Sequence, residues 1–197
     1  MKSKGLLIFL IILGILLVGA CSIVPSYNGL VTQDEEVAKA WNNVQSEYQR
    51  RNDLIPNLVN TVKGAANFEQ ETLTKLMEAR AKATSVNINP GDLTPEKMAE
   101  FQQAQAQVSS GLGRLLAVVE NYPDLKANQN FRDLQAQLEG TENRIKVARN
   151  DFNAAVQVYN TKVRSFPMNL VAGMFGFSPK QGFQADPGSE RAPTVTF

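Results

Sequence analysis

Few side chains in this chain are of a type and spacing that could do chemistry. Paired carboxylates, the material of general acid–base catalysis, occur at Glu35-Glu36 and at Glu69 and Glu71. Helix neighbours one or two apart do not face each other, so neither pair converges on one substrate atom. Ser109-Ser110 offers hydroxyl nucleophiles, but no base stands near it in sequence, although a lysine could take that part in principle. The 197 residues include no histidine. That removes the commonest general base and metal ligand, and with them the Glu-x-x-His pairs of di-iron bundles. The single cysteine, Cys21, excludes an intrachain disulfide and a cysteine zinc site. No glycine-rich phosphate loop occurs. The inventory predicts a protein that is not an enzyme, with no catalytic residue, no metal and no cofactor.

The elements around these residues read as helices. Val37, Trp41, Val44, Tyr48, Arg51, Ile55, Leu58 and Val62 recur at alternating spacings of four and three, the seam of a coiled-coil-like helix. After a break at Gly64, a second helix is predicted from about Glu69 to Val86, with Leu73, Leu76, Met77 and Arg80 facing inward. Residues 87–92 form a loop by their turn chemistry. Thr94 caps a third helix with Pro95 in its first position. Its seam is Met98, Phe101, Gln105, Val108, Leu112, Leu115 and Val119. Gly111 and Gly113 weaken this helix and offer a neighbour close approach. Tyr122-Pro123 ends it. The last helix is predicted from Asn128 to Phe166, where Pro167 stops it. Phe131, Leu134, Leu138, Thr141, Ile145, Ala148, Phe152, Ala155 and Tyr159 are its seam. No stretch between 28 and 166 alternates with period two. The expected fold is all-α: an antiparallel bundle of three or four long helices over residues 27–167, with an extended rod as the alternative.

Arg51 and Pro56 are the anomalies of the first seam. Pro56 removes the hydrogen bond to the carbonyl of Asn52, yet Tyr48, Arg51, Ile55, Leu58 and Val62 keep register across it. That predicts a kinked, continuous helix with Asn52 or water near the freed carbonyl; a helix restarted at Asp53 is the alternative. Arg51 falls on the buried side, where an unpaired guanidinium is very costly. Glu139 and Glu142 on the last helix are its candidate partners, and Gln105 and Arg144 could join the same polar layer. Such a layer would fix helix register. The alternative is an Arg51 that snorkels to the surface.

Both ends of the chain differ from this middle. Residues 5–20 run without one polar side chain behind Lys2 and Lys4, so residues 1–26 form a candidate membrane anchor. As a spanning helix, residues 5–24 cover a bilayer core of about 30 Å, with the lysines held in the cytoplasm. As a secretory signal, Val18-Gly19-Ala20-Cys21 resembles a lipobox and makes Cys21 the lipidation candidate. Both place the domain on the extracytoplasmic side, tethered to lipid. Residues 168–197 are expected to be an irregular apolar tail, strapped along the bundle or exposing a patch at Phe175 and Phe177 to lipid or another subunit. The 20 Lys+Arg and 19 Asp+Glu nearly cancel, which argues against nucleic acid as a partner.

Tyr27-Asn28-Gly29-Leu30-Val31, Ala40-Trp41-Asn42-Asn43-Val44 and the run from Tyr48 to Val59 resemble the LemA family. So do Val62-Lys63-Gly64, Ala79-Arg80-Ala81, the run from Leu134 to Ile145, and Phe175-Gly176-Phe177. The resemblance covers nearly all the chain after residue 27. It implies a membrane-attached bacterial protein with a helical-bundle domain and no established enzymatic activity. Related magnetosome proteins suggest membrane shaping or scaffolding, by analogy of fold alone. The functional expectation is a membrane-anchored, homo-oligomeric scaffold of the cell envelope. The alternative is a monomeric adaptor or accessory subunit for an envelope protease or transport complex.

Overall fold

The computed structural model describes residues 2–64 and 69–184, with side chains at Phe9 and from residue 23 onward. The described residues form six α-helices in succession: α1 (Lys2–Lys63), α2 (Gln70–Ser85), α3 (Pro95–Val119), α4 (Pro123–Ala127), α5 (Gln129–Arg164) and α6 (Met168–Phe175). A 3₁₀ turn at Pro90–Asp92 precedes α3, and the described residues contain no strand.

Local chemistry sets the helix starts. The Thr94 hydroxyl accepts from the Lys97 amide at 3.4 Å, with Pro95 next to it where no amide is needed. The Asn128 side chain accepts from the Phe131 amide at 3.3 Å and starts α5. Gly176 ends α6 in the left-handed conformation, at φ 78°.

All eight seam residues of α1 are buried, as are all seven of α3. Contacts along α1 and α5 run in opposite chain directions: Gly29 meets Lys162, Trp41 meets Phe152, and Arg51 meets Glu142. The segment after α2 also returns along α1. Trp41 Nε1 donates to the Ile88 carbonyl at 2.8 Å, and Gln45 Nε2 donates to Asn87 Oδ1 at 2.8 Å. α2 lies close on α3 at Gly111, where an added Cβ would stand 3.1 Å from Leu76 Cδ1; Gly113 has open space instead.

The buried side chains form two clusters. One holds Leu30, Trp41, Tyr48, Phe101, Ile145, Phe152 and Tyr159. The other holds Ile55, Leu58, Val62, Leu76, Leu115, Phe131 and Leu138. Each fully buried large side chain in them contributes about 1.5–3 kcal/mol.

Three expectations change. The α5 seam moves from Ala155 to Val156 and continues to Val163, because a straight helix drifts off a 3.5-residue repeat. The same helix ends at Arg164 and leaves Phe166 exposed. Finally, the tail is not irregular throughout: residues 168–175 form α6, which buries Val171 and Ala172. On its own α6 is too short to be stable, so packing makes it a helix.

Candidate functional site

A polar layer occupies the boundary between the two apolar clusters. Arg51 lies on the seam between Tyr48 of one cluster and Ile55 of the other. Gln105 and Thr141 take the matching levels of α3 and α5, and all three side chains are buried. Arg51 is 1% exposed. Its Nη1 donates to Glu142 Oε1 and to Ser109 Oγ, each at 2.9 Å. Its Nη2 donates to Gln105 Oε1 at 2.6 Å and to the Gln105 carbonyl at 3.3 Å. The guanidinium also stands 5.0 Å from the centre of the Tyr48 ring. One cation thereby ties α1 to α3 and α5 together, with charge-assisted hydrogen bonds that leave little freedom of register.

Of the two candidate partners, Glu142 meets Arg51 and Glu139 does not. Glu139 sits on the outer face and accepts from Gln135 Nε2 at 3.0 Å. Helix geometry explains the choice: Glu142 lies roughly 40° round α5 from buried Leu138, and Glu139 roughly 100°. Arg144 reaches the rim of the layer, donating to Thr141 Oγ1 at 2.8 Å and to Glu47 Oε2 at 3.0 Å. Ser109 belongs to the layer as a hydrogen-bond acceptor for Arg51. Its position one residue past seam Val108 was the available signal.

α1 passes through Pro56 without a break. The carbonyl that Pro56 deprives of its helical donor is that of Asn52, and Arg80 Nε of α2 donates to it at 2.7 Å. A cleft of about 310 Å³ beside this contact is lined by Tyr48, Asn52, Asp53, Arg80, Phe101 and Gln105, among others. Burial pushes the Tyr48 phenol up from its ordinary value, against the pull of Arg149 and Arg51, so it carries no charge near neutral pH. Of the hydroxyls that line it, that of Thr84 donates to the Arg80 carbonyl at 2.9 Å. Among the described residues no cluster of His, Cys, Asp or Glu could hold a metal ion.

The end of the tail lies along α5 as a strap. Asn160 makes both backbone hydrogen bonds of Lys180: Oδ1 accepts from its amide and Nδ2 donates to its carbonyl, each at 2.8 Å. Asn153 does the same for Phe183, at 2.8 Å and 3.2 Å. Phe183 then enters the aromatic cluster of Trp41, Phe101 and Phe152, beneath the Arg149 guanidinium. Lys180 Nζ stands 3.0 Å from Asp34 Oδ1 and donates to the Pro90 carbonyl at 3.2 Å. The patch candidates behave differently. Phe177 is half-buried and Phe175 is exposed, and both rings pack on Tyr27 of α1, at 4.9 Å for Phe175 and 5.8 Å for Phe177.

The lipidation candidate Cys21 and the apolar run of residues 5–22, Phe9 apart, have side chains outside the described set; their backbone belongs to α1. Among the described residues no helix is long and apolar enough to cross a membrane.

A family model described as "LemA family" matches residues 40–197. Magnetosome protein MamQ 2 of Paramagnetospirillum magneticum is 26% identical over 189 residues, covering 86% of this chain and 68% of the relative. Magnetosome protein MamQ of Magnetospirillum gryphiswaldense is 25% identical with the same coverage. Protein LemA of Metamycoplasma hominis is 26% identical over 145 residues, covering 74% of this chain and 63% of the relative.

Proposed function

Because the chain belongs to the LemA family, we propose that it is a non-enzymatic, membrane-anchored helical scaffold of the bacterial cell envelope, one that self-assembles and shapes or organises membrane. The observation that carries this reading is the continuity of α1. The helix begins at Lys2 and runs through Pro25 and Pro56 to Lys63, so the apolar run of residues 5–24 and the seam of the domain share one element. A bilayer-spanning run joined in this way presents the domain on a stiff stalk, with no linker to uncouple it from the membrane. If Cys21 is instead the lipidated terminus, the same helix starts at the lipid and the stance is unchanged. The relatives named as magnetosome proteins support the membrane part of the reading.

Intact mass of the membrane fraction separates the two anchors: retained Met1 means a spanning helix, and a lipidated Cys21 means a lipoprotein. Sedimentation of the full chain in nanodiscs, with cross-linking in cells, tests assembly. Self-adducts are expected, and a strictly monomeric chain overturns the self-assembling part.

One observation favours the adaptor as a second reading. An open groove of about 740 Å³ between α2 and α3 is lined by Glu71, Lys75, Glu78, Lys82, Arg114 and Val118, among others. A foreign partner recovered by a cross-linker placed at Arg114, without self-adducts, selects that reading.

A further inference from the structure

α6 reads M-N-L-V-A-G-M-F, with Asn169 its only polar side chain. A helix apolar on nearly every side is covered on nearly every side. α1 and α5 cover one side, where Val171 and Ala172 are buried. On the other, Leu170 is 59% and Met174 72% exposed, and Phe166 in the preceding turn is 81% exposed. Isolated exposed apolar residues are ordinary, but three large ones within nine positions, two on a single helix face, are not.

Position on the chain identifies what covers this face. α6 packs on α1 at Tyr27, through the ring contact with Phe175. Tyr27 follows Val24, the last residue of the apolar run, by three positions, about 4.5 Å of helix rise. It follows Cys21 by six, about 9 Å. Either anchor therefore brings this turn of α1, and α6 with it, to the headgroup zone. Val24 is itself exposed beside it.

Charge gives an independent argument. Residues 23–33 and 152–185, which make up this end of the domain, contain no Asp or Glu but hold Lys162, Arg164 and Lys180. The first acid on α1 is Asp34, which pairs with Lys180. Lys162 donates to the Gly29 carbonyl and so holds its charge at the level of Tyr27. The end of the molecule that carries the apolar face is thus basic, in a chain whose charges nearly cancel as a whole. Anionic lipid fits both features, since basic groups near a bilayer surface are drawn to it while apolar side chains enter the acyl boundary.

We propose that α6 is a second membrane contact: Phe166, Leu170 and Met174 insert at the headgroup–acyl boundary of an anionic bilayer and fix how the domain stands on it. The proposal rests on the membrane-anchored reading above. Its occupant is lipid rather than a second copy of the chain.

The test uses the full chain in vesicles containing phosphatidylglycerol with brominated acyl chains. Leu170→Trp places a fluorophore on the exposed face, and Val147→Trp places one on exposed α5, about 22 Å along the helix from Lys162. Native Trp41 is buried and supplies the background to subtract. Bromolipid is expected to quench Leu170→Trp at least twofold more than Val147→Trp, and less when neutral lipid replaces phosphatidylglycerol. Equal quenching in chains that float with the vesicles overturns the α6 contact and leaves the anchor standing. Failure to float overturns the anchor and the proposal together. Blue-shifted, unquenched emission from Leu170→Trp, with self-adducts cross-linked at that position, overturns lipid in favour of a second copy.

Discussion

Arg80 Nε of α2 donates to the backbone carbonyl of Asn52 on α1 at 2.7 Å, and this is the carbonyl that Pro56 leaves without its helical donor. An exposed helix would meet the loss with water. Here Asn52 is buried, so an arginine from a neighbouring helix takes the place of the missing amide. The contact turns a helix defect into a docking point for α2. Arg80→Met is therefore expected to lower stability by about 1–3 kcal/mol. In a Pro56→Ala background residue 56 gains an amide that can donate to the Asn52 carbonyl, and the same substitution should cost less. A double-mutant cycle by urea denaturation should find coupling above about 0.5 kcal/mol between the two sites. Strict additivity would mean Arg80 acts elsewhere.

The Arg51 layer predicts an asymmetry between its two charges. Arg51 is 1% exposed, whereas the Glu142 side chain is 45% exposed. Removing the arginine leaves a carboxylate that water can solvate. Removing the glutamate leaves a buried cation with neutral partners only, Gln105 and Ser109. Glu142→Ala should therefore cost about 3 kcal/mol, and Arg51→Met less, about 1–2 kcal/mol. The ordering of the two denaturation midpoints checks the argument, and the reverse order contradicts it. Glu139→Ala, on the outer face, should fall within about 0.5 kcal/mol of the parent.

The seams were legible because burial follows apolar period: every α1 and α3 position picked by spacing is buried, Arg51 and Gln105 included. On α5 two positions picked by spacing, Leu134 and Ala155, are only partly buried, and past Phe152 the helix drifts off a strict heptad on to Val156. Glu142 could have been separated from Glu139 by angle alone. Arg80 on Asn52 could not, because it depends on how far α2 slides along α1, which no spacing of residues within either helix fixes. The strap was equally hidden. Asn153 and Asn160 stand beside seam positions Phe152 and Tyr159, and polar residues there usually face solvent. Only the position of the returning tail gives them backbone to bind.

The α2–α3 approach separates two glycines of similar sequence context. Gly113 has open space around it, so Gly113→Ala should gain roughly 0.5–1 kcal/mol through helix propensity. At Gly111 the Leu76 side chain would lie 3.1 Å from a new Cβ and the Leu76 Cα 3.5 Å away. Gly111→Leu should then force α2 outward and cost about 1–3 kcal/mol. Thermal melts of the two variants should move in opposite directions.

Alkaline pH should weaken the domain through Tyr159. Burial first, and the Asp34 carboxylate second, push its phenol up to about 12. An unfolded tyrosine titrates near 10. The folded state thus holds the proton more tightly, and its contribution is complete below about pH 10. It is lost as pH rises through the window from about 10 to 12. Burial raises Tyr48 in the same direction. The informative quantity is a difference between two variants at each pH. The stability gap between the parent and Tyr159→Phe should shift against the parent between pH 9.5 and 11.5, in steps of roughly half a unit. A gap that stays constant contradicts the tyrosine's part.

The strap fits α5 by a match of lengths. Asn153 and Asn160 are seven residues apart, about 10.5 Å along a helix, and Lys180 to Phe183 spans about 10 Å of extended chain. Each asparagine can therefore serve one strap residue with both its donor and its acceptor. Asn153→Ala should release the Phe183 amide, seen as faster hydrogen exchange there, while α5 itself stays protected. Asn153→Asp keeps an acceptor for that amide but loses the donor to the Phe183 carbonyl, so exchange should fall between the two. Phe183→Ala removes the ring from the Trp41 cluster and should cost about 3–5 kcal/mol, more than either asparagine change. If Asn153→Ala leaves exchange at Phe183 unaltered, the ring alone holds the strap and the asparagine clamp contributes nothing.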